Sequence, residues 1–309
     1  MKTVAITMGE PGGIGPEIAL KGIASALKAE RFTPLLIGDP EVFEQASRLT
    51  GIKLEVEIES TGSAFGFKKG SSTATGGEAS AKAIKKAADL ALSGKADAIV
   101  TAPISKEALG LAGLKWPGHT EMLAELTGAR EFSMMLMGKG LRVMLVTIHT
   151  SLKNVPVLIT RESVLKTIRL AAKACRMLGL RETRIGICGL NPHAGEAGMF
   201  GDEELKHIIP AIQEAIGEGI QASGPHPADT VFHRAINKEF DMVVSMYHDQ
   251  GLGPLKTLAF ESGINVTVGL PIIRTSPDHG TAYDIAWENK AAPLSMEMAI
   301  RAALRLKLP

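Results

Sequence analysis

Residues 4–39, VAITMGEPGGIGPEIALKGIASALKAERFTPLLIGD, contain the pattern that decides the fold. An apolar run at 4–8 is followed by a glycine-rich turn, an amphipathic stretch at 16–30 and a second apolar run at 34–39. The alternation continues with PEVFEQASRL at 40–49, ASAKAIKKAADLALSGK at 79–95 and DAIVTAP at 97–103. Alternating strand and helix patterns predict parallel strands joined by helices, and therefore an α/β fold.

The second half of the chain extends this pattern. Its apolar runs predict further strands at 132–138, 141–149, 184–190, 241–248 and 264–270, with helices near Glu162–Leu178 and from Leu294. We therefore expect two α/β/α subdomains with a mixed, mostly parallel sheet. Residues 59–77, ESTGSAFGFKKGSSTATGG, predict an exposed loop or irregular hairpin that could be mobile near an active site.

The composition favours an enzyme that acts on small molecules. The chain has 309 residues, 45% of them hydrophobic, and a formal net charge of +1 with no dense basic tract, so nucleic-acid binding has little support. No signal-peptide pattern or membrane-spanning apolar stretch is recognisable, and a cytoplasmic location is expected. Cys175 and Cys188 lie in apolar patterns that are typical of reduced, buried thiols.

Three histidines follow hydrophobic runs in similar contexts: His149 in VMLVTIHTS, His193 in IGICGLNPHAGE and His248 in DMVVSMYHDQG. Each run predicts a buried strand, so each histidine should lie at or just beyond a strand's carboxyl end, where open α/β sheets bind ligands. A single histidine there is usually a loop hydrogen-bonding group or a helix cap. Three neutral imidazoles that converge could hold a divalent metal and leave a position for substrate.

The first glycine-rich loop, GEPGGIGPE at 9–17, lies between a strand and a helix. Its glycines could let backbone N–H groups approach an anionic ligand, although a plain glycine-rich turn explains them equally well. The third glycine of a dinucleotide fingerprint is absent, and there is no Walker motif.

Longer motifs give the chain a resemblance to a known family. GEPGGIGPE at 9–17 and HGTAYDIA at 279–286 together resemble the isocitrate and isopropylmalate dehydrogenase superfamily. With NPHAGE at 191–196, PADTVF at 227–232, YHDQG at 247–251 and GLPIIRTSPDHGTA at 269–282, the chain resembles the 4-hydroxythreonine-4-phosphate dehydrogenase family of pyridoxal phosphate biosynthesis. The resemblance runs nearly end to end.

The resemblance implies a metal site shared between two subunits. His149, His193 and His248 match the family's three metal-binding histidines, and the residue that matches His149 comes from the other subunit of a homodimer. Imidazole ligands favour zinc or cobalt more than magnesium, but the sequence does not decide which of these three ions is bound. Asp229 and Asp249 are either partners that orient the imidazoles or helix N-caps.

The resemblance also implies contacts to substrate and cofactor. The residues matched to substrate contacts are His119, Thr120, Lys256, Asn265 and Arg274, with Lys256 and Arg274 neutralising anionic groups. The residues matched to contacts with NAD or NADP are Gly12, Gly13, Gly15, His279, Gly280, Thr281 and Asp284. Without the family match, His119 would be interpreted as a helix cap. The general base and the choice of nucleotide are not readable from the sequence.

The implied reaction is oxidation of 4-phosphohydroxy-L-threonine to a 3-oxo acid, which loses carbon dioxide to give 3-amino-2-oxopropyl phosphate. Residues 1–115 and 245–309 are expected to form the cofactor-side subdomain, and 116–244 the metal and dimerisation subdomain, with the active-site cleft between them. One alternative is a sister dehydrogenase of D-threonate or D-erythronate 4-phosphate, or of a dihydrodiol carboxylate. A remote alternative is a metal phosphatase or phosphometabolite-binding protein without redox chemistry.

Overall fold

The computed structural model describes residues 1–53, 55–180 and 183–308, which form two compact units. The first unit is Met1–Arg130 with Leu270–Leu308, and the second is Glu131–Gly269. The strands of the described residues are β1 Thr3–Thr7, β2 Thr33–Gly38, β3 Glu57–Ser60, β4 Ala98–Thr101, β5 Ser133–Gly138, β6 Leu141–Leu145, β7 Ile185–Cys188, β8 Ala222–His226, β9 Met242–Ser245, β10 Ile264–Val268 and β11 Arg274–Pro277.

The helices largely follow the predicted amphipathic stretches. They are α1 Gly15–Ala26, α2 Pro40–Thr50, α3 Ala74–Leu92, α4 Lys106–Leu111, α5 His119–Thr127, α6 Val155–Leu158, α7 Arg161–Met177, α8 Ile209–Gly217, α9 Ala228–Ile236, α10 His248–Ala259 and α11 Leu294–Arg305. Thr160 begins α7 with a reciprocal capping box to Ser163. Thr73 caps α3 by accepting the amide of Gly76, so this helix starts five residues before the predicted stretch at 79–95.

The strands of the first unit are all parallel, in the order β3-β2-β1-β4-β11. Val4, Ala5 and Ile6 of β1 are fully buried, as is typical of a parallel strand covered on both faces. The chain runs outward from β1 through β2 to β3 and then returns to β4 on the other side of β1. The strand order therefore reverses at β1, which is where ligands bind in open α/β sheets.

The second unit has a mixed sheet in the order β10-β5-β6-β9-β7-β8. β5 is antiparallel to both neighbours, β10 and β6. It is joined to β6 by a two-residue hairpin turn at Lys139 and Gly140, which have positive φ angles of 45° and 87°. The pairs β6–β9, β9–β7 and β7–β8 are parallel. The predicted mixed, mostly parallel α/β architecture is confirmed.

The unit boundaries differ from those expected at 115/116 and 244/245. Helix α5 packs against α3 of the first unit, so the residues up to Arg130 belong there. Helix α10 packs on β5, β6 and β9, so residues 245–269 belong to the second unit. The three histidines consequently lie in one unit.

The segment at 59–77 is not a hairpin, but its middle is a largely exposed loop, which is the other predicted alternative. Its start is the edge strand β3, which pairs in parallel with β2, and its end is the first turn of α3. Between them Ala64 is buried, and the amide of Gly70 donates to the carbonyl of Gly12 at 2.8 Å. The middle of the segment therefore packs on the glycine-rich loop.

Both cysteines are buried and free, as predicted. Burial raises the pKa of the Cys175 and Cys188 thiols to about 12, so both stay protonated at neutral pH. Of the helices in the described part of the chain, none has the length and apolar character needed to cross a membrane.

Candidate active site

The three histidines follow three neighbouring parallel strands. His149 lies just after β6, His248 begins α10 after β9, and His193 lies in the turn after β7. Because β6, β9 and β7 are adjacent and parallel, all three carboxyl ends lie at one edge of the sheet. The predicted placement at strand ends is confirmed.

Hydrogen bonds join the segments that carry these histidines. The amide and Oγ1 of Thr147 both donate to the carbonyl of Met246, at 3.1 and 2.8 Å. Gln250 accepts the amide of Met246 at 2.7 Å and donates through Nε2 to the carbonyl of Gly189 at 2.8 Å. The buried Gln250 amide thus fixes the start of α10 relative to the end of β7.

His149 and His248 lie together. Their ring centroids are 5.9 Å apart, and both side chains line a cavity of about 570 Å³ with Tyr247 and Asp249. Nδ1 of His248 lies 2.7 Å from Oδ1 of Asp249, an arrangement that orients the ring and leaves Nε2 for a ligand. Asp249 therefore contacts an imidazole, whereas Asp229 lies in the first turn of α9.

His193 is held in an unusual backbone conformation. Residues 193–197 all have positive φ, and His193 itself has φ 52° and ψ 29°, so the chain makes a left-handed turn. Such a turn costs roughly 1–2 kcal/mol per non-glycine residue and persists only where its surroundings impose it. Within residues 1–53, 55–180 and 183–308, no three His, Cys, Asp or Glu side chains are grouped so that they could hold a metal. The structure brings two of the three predicted ligands together.

Glu204 holds this turn, and the sequence analysis missed it. Its buried carboxylate accepts the amides of Leu190 and Asn191, both at 2.7 Å, and Nδ2 of Asn191 at 2.9 Å. A Cβ at Gly195 would lie 2.7 Å from Oε2 of Glu204, so glycine is required there. The sequence pattern that could have identified Glu204 is an acidic residue on the same helical face as the apolar Ile208 and Ala211, both of which are buried.

The first unit carries a buried cation beside a neutral imidazole. Arg274 is 2% exposed, and its Nε and Nη2 donate to Oγ1 of Thr101 at 3.1 and 2.7 Å. Burial lowers the pKa of Arg274 to about 9. His119 begins α5, and burial, reinforced by the charge of Arg274, holds its pKa well below the usual value. Nε2 of His119 is buried and has no hydrogen-bond partner among the described residues.

The other predicted substrate contacts divide between the two units. Thr120 is buried in the first turn of α5, in the same unit as Arg274. Lys256 is half-buried on α10, and Asn265 lies on β10. Nδ2 of Asn265 lies 3.1 Å from Sδ of Met134, and its Oδ1 has no partner in the part of the chain that the structure describes. A buried, unpaired amide oxygen suits a ligand that donates a hydrogen bond.

The two segments predicted to contact cofactor pack against each other. The amide of Ile14 donates to the carbonyl of Thr281 at 2.9 Å, and a Cβ at Gly13 would lie 2.9 Å from the Cβ of Thr281. A Cβ at Gly12 would lie 2.5 Å from the carbonyl oxygen of Lys68. Gly12, Gly13 and Gly15 are therefore required for close packing of the chain. His279, Gly280 and Asp284 are exposed, and their cofactor contacts remain predictions.

Glu10, in the same loop, is a second group that the sequence analysis missed. Its side chain is fully buried, and Oε1 accepts the amide of Gly12 at 3.3 Å. Oε2 has no hydrogen-bond partner within the described residues. Burial raises the pKa of this carboxyl to about 7.

The comparisons with known proteins agree with these features. The family model for pyridoxal phosphate biosynthetic protein PdxA matches residues 30–303. The chain belongs to the PdxA family. It is 47% identical to a 4-hydroxythreonine-4-phosphate dehydrogenase from Geobacter metallireducens, over 98% of this chain and 95% of that protein. It is 43% identical to a D-threonate 4-phosphate dehydrogenase from Cupriavidus necator, over 99% of this chain and 97% of that protein.

Solved structures give the same assignment. The chain is 39% identical to the 4-hydroxythreonine-4-phosphate dehydrogenase from Klebsiella pneumoniae. The two structures superpose with a TM-score of 0.89 over 98% of this chain and 99% of that chain. Isocitrate dehydrogenase from Methylococcus capsulatus shares the fold alone. It is 14% identical and superposes with a TM-score of 0.53 over 98% of this chain and 85% of that chain. The predicted isocitrate dehydrogenase-like fold is confirmed.

Proposed function

We propose that the protein oxidises 4-phosphohydroxy-L-threonine with NAD or NADP, in a divalent-metal-dependent reaction, to a 3-oxo acid that decarboxylates to 3-amino-2-oxopropyl phosphate. The observation that carries the proposal is the His149–His248 pair, which lines one cavity at the carboxyl ends of adjacent parallel strands in a PdxA-family chain. Both relatives described above act, by their names, on four-carbon substrates with a 4-phosphate.

The chain's own cations and polar groups bind and orient this substrate. Arg274 is buried and poorly solvated, so it gains most from an anionic partner such as the phosphate or carboxylate. Lys256 supplies a second positive charge. The neutral His119 offers Nε2 to a hydroxyl, and Oδ1 of Asn265 accepts a hydrogen bond from the substrate.

The donor set fits a divalent cation such as zinc, cobalt or magnesium. His149 and His248 would supply two imidazole ligands, with Asp249 fixing the His248 ring, and His193 would supply the third. When bound, such an ion would supply Lewis-acid chemistry at the alcohol oxygen, and NAD or NADP would supply the hydride acceptor.

We further propose a homodimer in which one imidazole of each metal site comes from the second copy. The family resemblance implies this for His149, but His149 and His248 lie together in one chain, so the imidazole from the second copy is assigned to His193. Large apolar side chains are exposed near the histidine segments: Leu152 is 69%, Val157 80% and Met199 74% exposed. Exposed apolar groups of this size favour burial against a partner. No grouping of three ligands forms within the described part of one chain, which is consistent with a shared site.

The alternative substrate is D-threonate 4-phosphate, favoured by the name of the relative from Cupriavidus necator. This sugar acid differs at the carbon that carries the amino group, so the same phosphate and alcohol contacts would serve it. Comparing kcat/KM for the two substrates separates these activities.

The test is an NADH absorbance assay on the purified protein loaded with zinc or magnesium. We expect rapid NADH formation with 4-phosphohydroxy-L-threonine and NAD, loss of turnover in His248→Ala, and full activity in the surface control His233→Ala. If the protein does not oxidise this substrate but oxidises D-threonate 4-phosphate, its activity is that of the sister dehydrogenase. Release of inorganic phosphate without any nicotinamide nucleotide would indicate a phosphatase instead.

A further inference from the structure

The side chain of Asn265 contacts a sulfur atom in the second unit. β10 pairs antiparallel with β5, with Asn265 opposite Leu136 and Thr267 opposite Met134. Asn265 and Met134 are therefore diagonal neighbours on one face of the sheet, within reach of each other. Nδ2 of Asn265 lies 3.1 Å from Sδ of Met134, and both side chains are partly buried. The nitrogen half of the amide is thus in contact with a thioether.

The chemistry of the thioether decides which half of the amide turns toward it. A thioether sulfur carries lone pairs and no hydrogen, so it accepts hydrogen bonds weakly and donates none. An amide presents two N–H donors at its nitrogen and only lone pairs at its oxygen. If the amide of Asn265 were rotated by half a turn, the lone pairs of Oδ1 and Sδ would face each other. Met134 therefore holds the NH₂ group on its own side and turns Oδ1 away.

The oxygen that is turned away from Met134 is left for a ligand. Oδ1 of Asn265 is buried and accepts no hydrogen bond from any residue that the structure describes. Buried carbonyl oxygens nearly always have a donor, because leaving one unpaired costs about as much free energy as a lost hydrogen bond. Asn265 is one of the predicted substrate contacts. With its nitrogen engaged by the sulfur, the amide meets a substrate as an acceptor only.

Met134 is itself held in place by the apolar core of the second unit. It packs against the buried cluster that includes Leu136, and Ile148 packs against the same cluster. Ile148 also lines the cavity of the His149–His248 pair, so the cluster extends from Met134 to a wall of that cavity. Because protein cores are close-packed, Met134 cannot swing away from the amide without disturbing these neighbours.

We propose that Met134 is a positioning residue that fixes the amide of Asn265 as an acceptor and so favours a substrate with an ammonium group; this inference rests on the proposed function. An ammonium group can only donate, and a charge-assisted hydrogen bond is roughly twice as strong as a neutral one. A hydroxyl at the same carbon can donate or accept, so it gains less from a fixed acceptor. Met134 thereby favours 4-phosphohydroxy-L-threonine over D-threonate 4-phosphate.

Met134→Leu removes the sulfur acceptor and keeps an apolar side chain of similar volume. The amide of Asn265 can then turn either half toward the substrate, so the Kd for 4-phosphohydroxy-L-threonine should rise about 3- to 10-fold, as for the loss of one hydrogen bond. The Kd for D-threonate 4-phosphate should rise by less than about twofold, because its hydroxyl adapts to either half. Calorimetric titration of the metal-loaded protein without nicotinamide nucleotide measures both constants. A purely structural role of Met134 would raise both constants alike.

Two further variants show whether Met134 acts through the amide. Met137→Leu is the matched control, since Met137 lies on the same strand with its side chain on the other face and should leave both Kd values unchanged. Met134→Leu added to Asn265→Ala should cause no further loss of affinity, because the group that Met134 positions is gone. The inference is overturned by parental affinities in Met134→Leu, by an equal rise for both ligands, or by a further loss in the double variant.

NMR of the side-chain NH₂ groups tests the Met134–Asn265 contact in the protein without substrate. The signals of Asn265, identified by their loss in Asn265→Ala, should move in Met134→Leu and stay in place in Met137→Leu. Unmoved signals in Met134→Leu, or a parent protein that binds D-threonate 4-phosphate more tightly or binds neither ligand, overturn the inference. A protein that shows the expected affinities and yet forms no NADH from 4-phosphohydroxy-L-threonine would contradict the proposed function and leave this inference standing.

Discussion

Removing the carboxylate of Glu204 should strongly destabilise the turn that carries His193. In Glu204→Ala the amides of Leu190 and Asn191 lose their acceptor in a buried setting, since each donates to Oε1 at 2.7 Å. Hydrogen bonds to a charged group contribute about 1.5–3 kcal/mol each, so we expect a loss of about 3–6 kcal/mol in the free energy of unfolding. The five positive-φ residues at 193–197 would then relax.

Glu204→Gln separates the charge from the acceptor geometry. Its carbonyl oxygen can still accept both backbone amides, but its NH₂ faces Nδ2 of Asn191, which now donates to Oε2 at 2.9 Å. We expect a loss of about 1–2 kcal/mol, from one weakened and one unfavourable contact. The control is Glu44→Gln, whose carboxylate is 66% exposed in an i,i+4 pair with Arg48 and should change stability by less than about 0.5 kcal/mol.

Urea unfolding followed by circular dichroism measures these differences, and zinc titration calorimetry of the folded variants measures metal affinity. We expect zinc affinity to fall in Glu204→Gln even where most of the protein is folded, because His193 loses its fixed position. A stability of Glu204→Ala within about 1 kcal/mol of the parent, or unchanged zinc affinity in Glu204→Gln, would refute the role assigned to this carboxylate.

Four further predictions concern the site. Arg274→Lys should lower kcat/KM at least tenfold, since an ammonium lacks the planar donors that bind a phosphate or carboxylate and Thr101 together; unchanged steady-state kinetics would contradict this. Because the pKa of Glu10 is higher in the folded than in the unfolded state, the protonated carboxyl stabilises the fold. This contribution to the free energy of unfolding is complete below about pH 4.5 and is lost as the pH rises through about 7. Glu10→Gln should therefore match the parent near pH 4.5 and be more stable by up to ~3 kcal/mol at pH 8, and unfolding curves that differ equally at both pH values would argue against a raised pKa. Asp249→Asn should weaken zinc binding roughly tenfold by calorimetry, with unchanged thermal stability, because it releases the His248 ring. Mixing unfolded His149→Ala and His193→Ala chains and refolding them should restore roughly a quarter of parental activity if sites are shared, whereas no recovery would place each site within one chain.

The sequence predicted eight of the eleven strands of the described residues, because these eight are apolar runs of strand length. It missed β3, β8 and β11, whose sequences EIES, ASGPH and RTSP are not apolar runs. It also placed His149, His193 and His248 at one sheet edge, since the carboxyl ends of parallel strands lie together. The left-handed turn around His193 was not predictable in this way. Ala194, Glu196 and Ala197 adopt positive φ there, which no local preference of these residues favours.

Tertiary packing explains the other differences. Gly12 and Gly13 lie in a loop typical of anion binding, but the structure fills the space beside them with the chain at Lys68 and Thr281. The sequence analysis assigned residues 116–130 to the second subdomain, but in the structure α5 packs on α3 and these residues belong to the first unit.

The most direct test of the proposed activity is quantification of the products of one reaction mixture that contains metal-loaded protein, NAD and 4-phosphohydroxy-L-threonine. Mass spectrometry of 3-amino-2-oxopropyl phosphate, with parallel measurement of carbon dioxide and NADH, gives the stoichiometry. The account predicts that all three appear in equal amounts and that none appears with His248→Ala. NADH without the decarboxylated product, or the absence of all three while D-threonate 4-phosphate is oxidised, would contradict it.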